Sequence, residues 1–238
     1  MRRLADRGRY DTPTIHAILD EGFVCHLGLI VNQSPVVIPT NYARIGDSLY
    51  LHGAPGNATL RALAGGVPAC VTVTLVDGLV LARSTLHHSL NYRSVMIFGT
   101  ATEVSDFAEK RRILAAIIEH IVPGRGADIP GPTDSELRAT RLIRLPIDEA
   151  SAKVRSGGPN DDPPDNDPTD APLNCWTGQV PLRVVTGTPI PEPGCAASPP
   201  AYLTTYARSA TSARASRAAD KVSSNSSGPC ANPGKQTS

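Results

Sequence analysis

The feature that most restricts the fold of this chain is a series of short, β-prone apolar runs separated by turns instead of helices. The runs cover 23–31, 36–43 and 48–53, and the intervening turns are rich in Asn, Ser, Pro, Gly and Asp. A parallel sheet needs a crossover, usually a helix, between successive strands. These connections are too short for one, so the pattern predicts an antiparallel meander that closes into a barrel.

The pattern continues to about residue 147, with helices at corners only. Asp77-Gly78 is a typical hairpin dipeptide and predicts a tight turn there. Asp11, Asn57, Asp106 and Thr133 are polar residues before apolar-periodic segments, which is the pattern of helix N-caps. The remaining strands are predicted at 69–75, 79–84, 92–104 and 141–147, and the remaining short helices at 57–63 and 133–140.

Composition divides the chain near Arg155. Residues 1–155 contain the apolar runs and are enough for one domain with its own core. Residues 156–172 read as an acidic, proline-rich linker, and residues 173–185, which include the single tryptophan, could return to the barrel. Residues 186–238 have too few large apolar side chains to form a core, so we expect a disordered tail.

Charge, cysteine content and motifs argue against several functional classes. The formal net charge is +1, which favours neither nucleic acid nor a membrane surface as a partner. The five cysteines form no C-x-x-C pair, so neither a disulfide framework nor a zinc site is predicted. The chain lacks a secretory leader pattern and an apolar run of about 18 residues, so we expect a cytoplasmic protein. Glycine-rich phosphate loops and hydrolase motifs are absent, and no catalytic residue can be named.

Two segments carry groups that could bind a ligand. Residues 84–94 interrupt the apolar hairpin with histidines, hydroxyls, an amide and a guanidinium, which could line a site for a heterocycle or an anion. Residues 50–61 run from a strand through a Gly/Pro turn into a helix start, where free N–H groups could hold a phosphate. Each segment could equally be an ordinary solvated connection. Adjacent His87 and His88 point to opposite faces of a strand, which disfavours a metal half-site.

The order of these elements and several local motifs resemble the flavin-binding split β-barrel proteins related to pyridoxamine 5'-phosphate oxidase, in particular the flavin-nucleotide-binding branch that is similar to nitroimidazole reductases. The resemblance covers residues 7 to 155. The motifs that carry it are Arg7-Gly8-Arg9-Tyr10-Asp11, Ile38-Pro39-Thr40, Leu49-Tyr50-Leu51-His52-Gly53, Asp77-Gly78-Leu79-Val80, His87-His88-Ser89, Asn91-Tyr92-Arg93-Ser94 and Glu149-Ala150-Ser151.

The resemblance implies a mainly β fold with peripheral helices, an antiparallel, Greek-key-like split barrel of the FMN-binding type. It also implies a homodimer with FMN at the interface and a small-molecule substrate. The cofactor-binding residues implied by the resemblance are Val37, Ile38, Pro39, Thr40, Tyr50 and His52 at the ring and ribityl chain, Asn57, Thr59 and Arg61 at the phosphate, and His88, Ser89, Asn91, Arg93 and Trp176 elsewhere around the flavin.

The function expected from these features is flavin-dependent reduction of a small molecule. FMN would carry the chemistry, which fits the lack of an obvious acid–base pair. The strongly basic substrate site of the true pyridoxamine-phosphate oxidases is not recognisable, so that reaction is not expected. Two alternatives keep the same barrel: a deazaflavin-dependent reductase, and a flavin or haem carrier without catalysis.

Overall fold

The structure is a computed structural model that describes residues 5–160 and 175–206. The predicted linker from 161 onward, the first two residues of the segment 173–185, and the tail beyond 206 lie outside the described residues. Eleven strands and five α-helices occur in the described parts. Their bounds are β1 Gly8–Arg9, α1 Thr12–Glu21, β2 Val24–Val31, β3 Ser34–Asn41, β4 Ala43–Ile45, β5 Ser48–Gly53, α2 Ala58–Ala64, β6 Pro68–Leu81, β7 Ser89–Thr100, β8 Thr102–Glu103, α3 Phe107–Ile121, α4 Asp134–Arg138, β9 Arg141–Pro146, β10 Glu149–Arg155, β11 Gly178–Pro181 and α5 Ala201–Thr204.

The strands form two antiparallel sheets that share one barrel. The larger sheet has the order β1-β10-β7-β6-β2-β3, with β11 added to β6, and the smaller has the order β4-β5-β9-β8. The chain passes from the larger sheet to the smaller at two places, from β3 into β4 at Tyr42 and from β7 into β8 at Ala101. Both residues are buried. This is the predicted mainly β, antiparallel architecture with helices at the periphery.

The barrel interior is built by side chains that alternate along the strands. Leu27, Val71 and Ile97 from the larger sheet meet Leu49, Leu51 and Leu145 from the smaller sheet in one core cluster. Ile15, Ile18 and Leu19 of α1 join the same cluster. A second cluster lies on the outer side of the smaller sheet, where α3 packs Ile113 and Ile117 against Tyr50 and Leu142. The alternation of apolar residues with period two therefore specifies which face of each strand is buried.

Local signals explain where the helices and the first hairpin begin. Asp11 caps α1 by accepting a hydrogen bond from the Thr14 N–H at 2.9 Å, and Asp106 caps α3 in the same way through Glu109 N–H at 2.7 Å. Thr133 and Glu136 form a reciprocal capping box on α4. The β2–β3 turn places Asn32 and Gln33 at φ +48° and +64°, the left-handed region that a two-residue hairpin turn needs.

The prediction of a hairpin turn at Asp77-Gly78 is wrong. Strand β6 continues through this dipeptide as far as Leu81, with a bulge between Val76 and Gly78, and the chain reverses only at 82–88. Two contacts hold the bulge: the Asp77 carboxylate accepts hydrogen bonds from Arg93, and β11 pairs with residues 78–81. Long-range pairing on both sides of β6 therefore keeps this dipeptide extended where its local preference is a turn.

The C-terminal segment extends the larger sheet and then crosses the end of α3. Residues 178–181 form β11 on β6. The chain then reaches α5, where Tyr202 donates a hydrogen bond to the Asp128 carboxylate and Tyr206 donates to the Ile121 carbonyl at 2.6 Å. Residues 186–206 thus differ from the tail without tertiary contacts that composition predicts. No helix within the described residues is long and apolar enough to cross a membrane.

Candidate functional site

The outer face of the larger sheet exposes a row of large apolar side chains. Val37 is 66% exposed, Phe98 43% and Met96 41%, and Ile30 extends the same face with 55% exposure. Register explains the grouping, because Val37 lies opposite Gly28, Gly28 opposite Cys70, and Cys70 opposite Phe98. A continuous apolar surface of this kind in a folded protein marks a place where something else binds.

This face contains an open cleft of about 570 Å³. Its wall is mostly apolar and includes Val36, Val37, Cys70 and Phe98, with the Glu149 carboxylate at one side. Its floor is low at Gly28, where a Cβ would have only ordinary contacts, 3.6 Å to the Cys70 carbonyl oxygen and 3.8 Å to Val37 Cγ2. The cleft is large enough to hold a ring system, and its floor is flat enough for a planar ring to lie against it.

The β3 residues predicted at the cofactor face opposite sides of their strand. Val37 and Pro39 are exposed on the outer face, and Val37 lines the cleft. Ile38 packs against the barrel core, and Thr40 is half-buried on the same inner side. A ligand on the outer face would therefore meet Val37 and Pro39 through their side chains, and Ile38 and Thr40 through the backbone alone.

Tyr50 and His52 lie on the face of β5 that points away from the barrel interior, toward α3. Tyr50 is 5% exposed and belongs to the second core cluster, so its burial has a packing explanation without a ligand. His52 is half-buried, and its Nδ1 is buried without a hydrogen-bond partner among the described residues. Burial lowers the pKa of His52 below its usual 6.5, because the charged imidazolium is poorly solvated there. The imidazole is therefore neutral at physiological pH and can still form a hydrogen bond.

The predicted phosphate corner begins α2. Asn57 caps this helix by accepting the Leu60 N–H at 3.1 Å, Thr59 is buried, and Arg61 is exposed. Arg141, which sequence reasoning did not select, fixes the preceding loop: it donates to the Pro55 carbonyl at 2.8 Å and to Glu103 at 3.0 Å. No local pattern could have revealed it, since it lies 86 positions away from Pro55 in the chain.

Arg93 lies in an ion-pair network at the other end of β7. Its guanidinium donates to both oxygens of Glu21, at 2.5 and 2.9 Å, and of Asp77, at 2.9 and 2.7 Å. These two carboxylates raise the pKa of Arg93 further above its usual value. The network ties the end of α1 to the bulge of β6, which is a structural explanation for a residue predicted to bind cofactor.

The other predicted residues at this end differ in burial. Asn91 is buried between Gln179 and Arg155 and hydrogen-bonds both. His88 is exposed, with Nδ1 3.0 Å from the Ser84 carbonyl oxygen. Because a carbonyl oxygen only accepts, Nδ1 is the donor in this contact. Ser89 is half-buried and Trp176 is 61% exposed. No cluster of three or more side chains suited to a metal ion occurs in the described parts of the chain.

Comparison with known proteins now identifies the fold. Residues 11–154 match the profile of the family described as Pyridoxamine 5'-phosphate oxidase. The chain belongs to the pyridoxamine 5'-phosphate oxidase family. As predicted, the family resemblance extends across the barrel and its peripheral helices. No curated protein matches the chain.

Two solved structures of this fold are similar over most of the chain. The flavocytochrome Anf3 from Azotobacter vinelandii is 35% identical, with a TM-score of 0.78, and the match covers 86% of this chain and 94% of that one. The FAD and haem binding protein from Mycobacterium smegmatis is also 35% identical with a TM-score of 0.78, and the match covers 84% of this chain and 97% of that one. Both matches span more of this chain than the family profile does.

In this pyridoxamine 5'-phosphate oxidase family member, two groups of the predicted cofactor residues lie toward opposite ends of β7. The α2 group lies beside the end of β7 at Thr100, since β6 begins at Pro68 opposite that residue. The His88–Arg93 group lies at the start of β7, which is Ser89. A strand rises about 3.3 Å per residue, so the two ends of β7 are roughly 35 Å apart. Arg93, the nearest member of the second group, lies seven residues from Thr100, or about 23 Å along the strand.

Proposed function

We propose that this protein binds a flavin nucleotide between two copies of its barrel and acts as a flavin-dependent oxidoreductase on a small molecule. The observation that carries the proposal is the 35% identity, over more than four fifths of the chain, to two proteins described as a flavocytochrome and as an FAD and haem binding protein. Sequence reasoning predicted FMN. FAD contains the same ring and the same first phosphate, so the proposal covers both.

The described residues fit a flavin ring. An isoalloxazine is planar, apolar on its faces and polar at its edges. The outer face of the larger sheet offers exposed Val37 and Phe98 beside the flat floor at Gly28, and the cleft there measures about 570 Å³. Its volume falls within the usual range for ligand pockets. The two groups of predicted residues are separated by roughly 23 Å or more along β7, and this separation favours a site completed by a second copy.

Bound flavin would supply hydride transfer, and the protein would supply binding, orientation and exclusion of water. Val37 and Phe98 would pack on the ring and keep solvent away from one face. Arg61 would hold the phosphate from α2. His52, neutral and with a free Nδ1, is available to hydrogen-bond a polar edge of the ring or of a substrate. No acid–base pair of the described chain has to be assigned for this chemistry.

Haem binding is the second candidate, because the two 35% identical relatives are a flavocytochrome and an FAD and haem binding protein. Haem iron commonly takes a neutral histidine nitrogen as axial ligand. His88 has the arrangement that such a ligand needs, because its Nδ1–H donates to the Ser84 carbonyl and leaves Nε2 free on an exposed ring. His88 would therefore hold the iron. The deazaflavin alternative uses the same face and cleft.

The absorption spectrum of the purified full-length protein separates these candidates. A flavin produces two bands in the near-ultraviolet and blue, a deazaflavin a single band at shorter wavelength, and haem an intense Soret band. We expect the flavin pair, before or after incubation with FMN and FAD, with an added Soret band if haem also binds. A protein that retains none of these chromophores after incubation with FMN, FAD and haemin would contradict the proposal.

A further inference from the structure

Three basic side chains come together where β1 pairs with β10. Lys153 and Arg155 lie two residues apart on β10, opposite Ser94 and Tyr92 of β7. Gly8 of β1 pairs with Lys153, which brings the preceding residue, Arg7, alongside the end of β10. Lys153 Nζ lies 5.7 Å from the centre of the Tyr92 ring, a distance that suits a cation–π contact.

Arg155 is the buried member of this group. It is only 9% exposed, and its Nη atoms donate to neutral acceptors: the Asn91 side-chain oxygen and the carbonyls of Gly157 and Gly158, at 3.2 and 3.1 Å. Its Nε is buried with no hydrogen-bond partner in the described chain. Burial first, and then the nearby positive charge of Arg7, lowers the pKa of Arg155.

Other arginines of the same sheet system have the opposite environment. Arg93 faces two carboxylates, and Arg44 forms a bidentate pair with Asp20 at 2.6 and 2.7 Å. A cation taken out of water is unfavourable unless an anion compensates it. Among the described residues, no carboxylate pairs with buried Arg155. Arg7 adds positive charge beside it, and Lys153 lies two residues away on the same strand. An oxyanion is the group that this arrangement lacks.

We propose that Arg155, Lys153 and Arg7 form a binding site for the phosphate group of a small molecule. A guanidinium and an ammonium are the side chains that proteins use to hold phosphate oxygens, and three positive charges match a dianion better than a carboxylate. Asn91 orients Arg155, and the amide of Gln179 on β11 fixes Asn91 through a 2.7 Å hydrogen bond. The C-terminal strand therefore helps to build the site.

This site is distinct from the flavin phosphate corner of the same chain. Arg155 pairs with Tyr92 near the start of β7, and α2 lies beside the other end of that strand. The inference does not depend on flavin binding, since it rests on the charge balance around Arg155. The phosphate could belong to a nucleotide cofactor or to a phosphorylated substrate, and both sources present the same oxyanion.

The test is calorimetric titration of the full-length protein with inorganic phosphate at low ionic strength. We expect saturable binding that Lys153→Gln weakens about tenfold, Arg7→Gln somewhat less, and Arg155→Lys by tenfold or more, because lysine keeps the charge and loses the guanidinium geometry. Arg144→Gln is the matched control, because Arg144 is exposed on β9 and its substitution removes the same charge away from the site. The phosphate affinity of this variant should equal that of the wild type.

Two results would overturn the proposal. The first is a heat of phosphate binding no larger than the heat measured with chloride at equal ionic strength. The second is an equal phosphate affinity in the wild type, Lys153→Gln and Arg7→Gln. Because Lys153 and Arg7 are only half-buried, their variants stay informative even if Arg155→Lys fails to fold. Titration of the same variants with FMN and riboflavin identifies the source. If the variants bind FMN more weakly but bind riboflavin as the wild type does, the site holds the flavin phosphate. If their FMN affinity is unchanged, the site holds the phosphate of another small molecule.

Discussion

At the scale of single residues, the partners of an arginine decide what it can do. Arg93 is engaged by Glu21 and Asp77 and ties two elements together. Arg155 is buried with neutral acceptors only and is therefore suited to an anionic ligand. Arg61 is exposed on α2. The same residue type thus has a structural role, a proposed anion-binding role and a proposed cofactor-binding role in one domain.

The Arg61 assignment leads to a prediction for cofactor affinity. If the flavin phosphate lies at the start of α2, Arg61→Ala removes a charge-assisted hydrogen bond that contributes about 1.5–3 kcal/mol. FMN should then bind about 10- to 100-fold more weakly, as measured by quenching of flavin fluorescence. Riboflavin, which has no phosphate, should bind equally to both proteins. The exposed Arg144→Ala serves as the control, and an unchanged FMN affinity in Arg61→Ala would move the phosphate elsewhere.

At the scale of elements, sequence reasoning succeeded where local signals and burial agree. Asp11 and Asp106 cap α1 and α3 as predicted, and β5 spans the residues expected of it. It failed at Asp77-Gly78, because pairing with β7 and β11 outweighs the turn preference of that dipeptide. Contacts between distant parts of the chain, which leave no local pattern, decide such positions.

The candidate site divides in the same way. Residue types and motif order were enough to indicate the strands and the corner that a ligand would use. They could not indicate that Tyr50 is a core residue beneath α3 or that Arg93 is engaged by two carboxylates. Arg141 was not selected for the site, since its environment is created by residues far away in the sequence.

The C-terminal segment supplies the prediction at this scale. Tyr202 and Tyr206 hydrogen-bond to Asp128 and Ile121 at the end of α3. Ending the chain after Arg183 removes both contacts and should lower the free energy of unfolding by about 1–3 kcal/mol, or several degrees in Tm. Ending it after Tyr206 keeps them. Equal melting temperatures for the two truncated proteins would show that this segment does not stabilise the barrel.

At the scale of the whole molecule, two observations support the proposed second copy. The larger sheet exposes an apolar outer face that includes Val37, Met96 and Phe98. Two groups of the predicted cofactor residues lie toward opposite ends of β7, separated by roughly 23 Å or more along the strand, which favours a ligand shared between two copies. Cyclic dimers are the commonest oligomers, and a two-fold axis over this face would cover the apolar side chains and bring the two groups together.

The central claim, a flavin nucleotide held between two copies of this chain, is tested most directly by size-exclusion chromatography of the flavin-loaded protein with light scattering and visible absorbance recorded on the same peak. We expect a mass near twice 25.0 kDa with one flavin per chain. Met96→Glu, on the apolar face, should lose both dimer and flavin, and Val184→Glu, 81% exposed off the sheet, should keep both. A 25.0 kDa species that carries flavin, or a dimer that carries none, would contradict it.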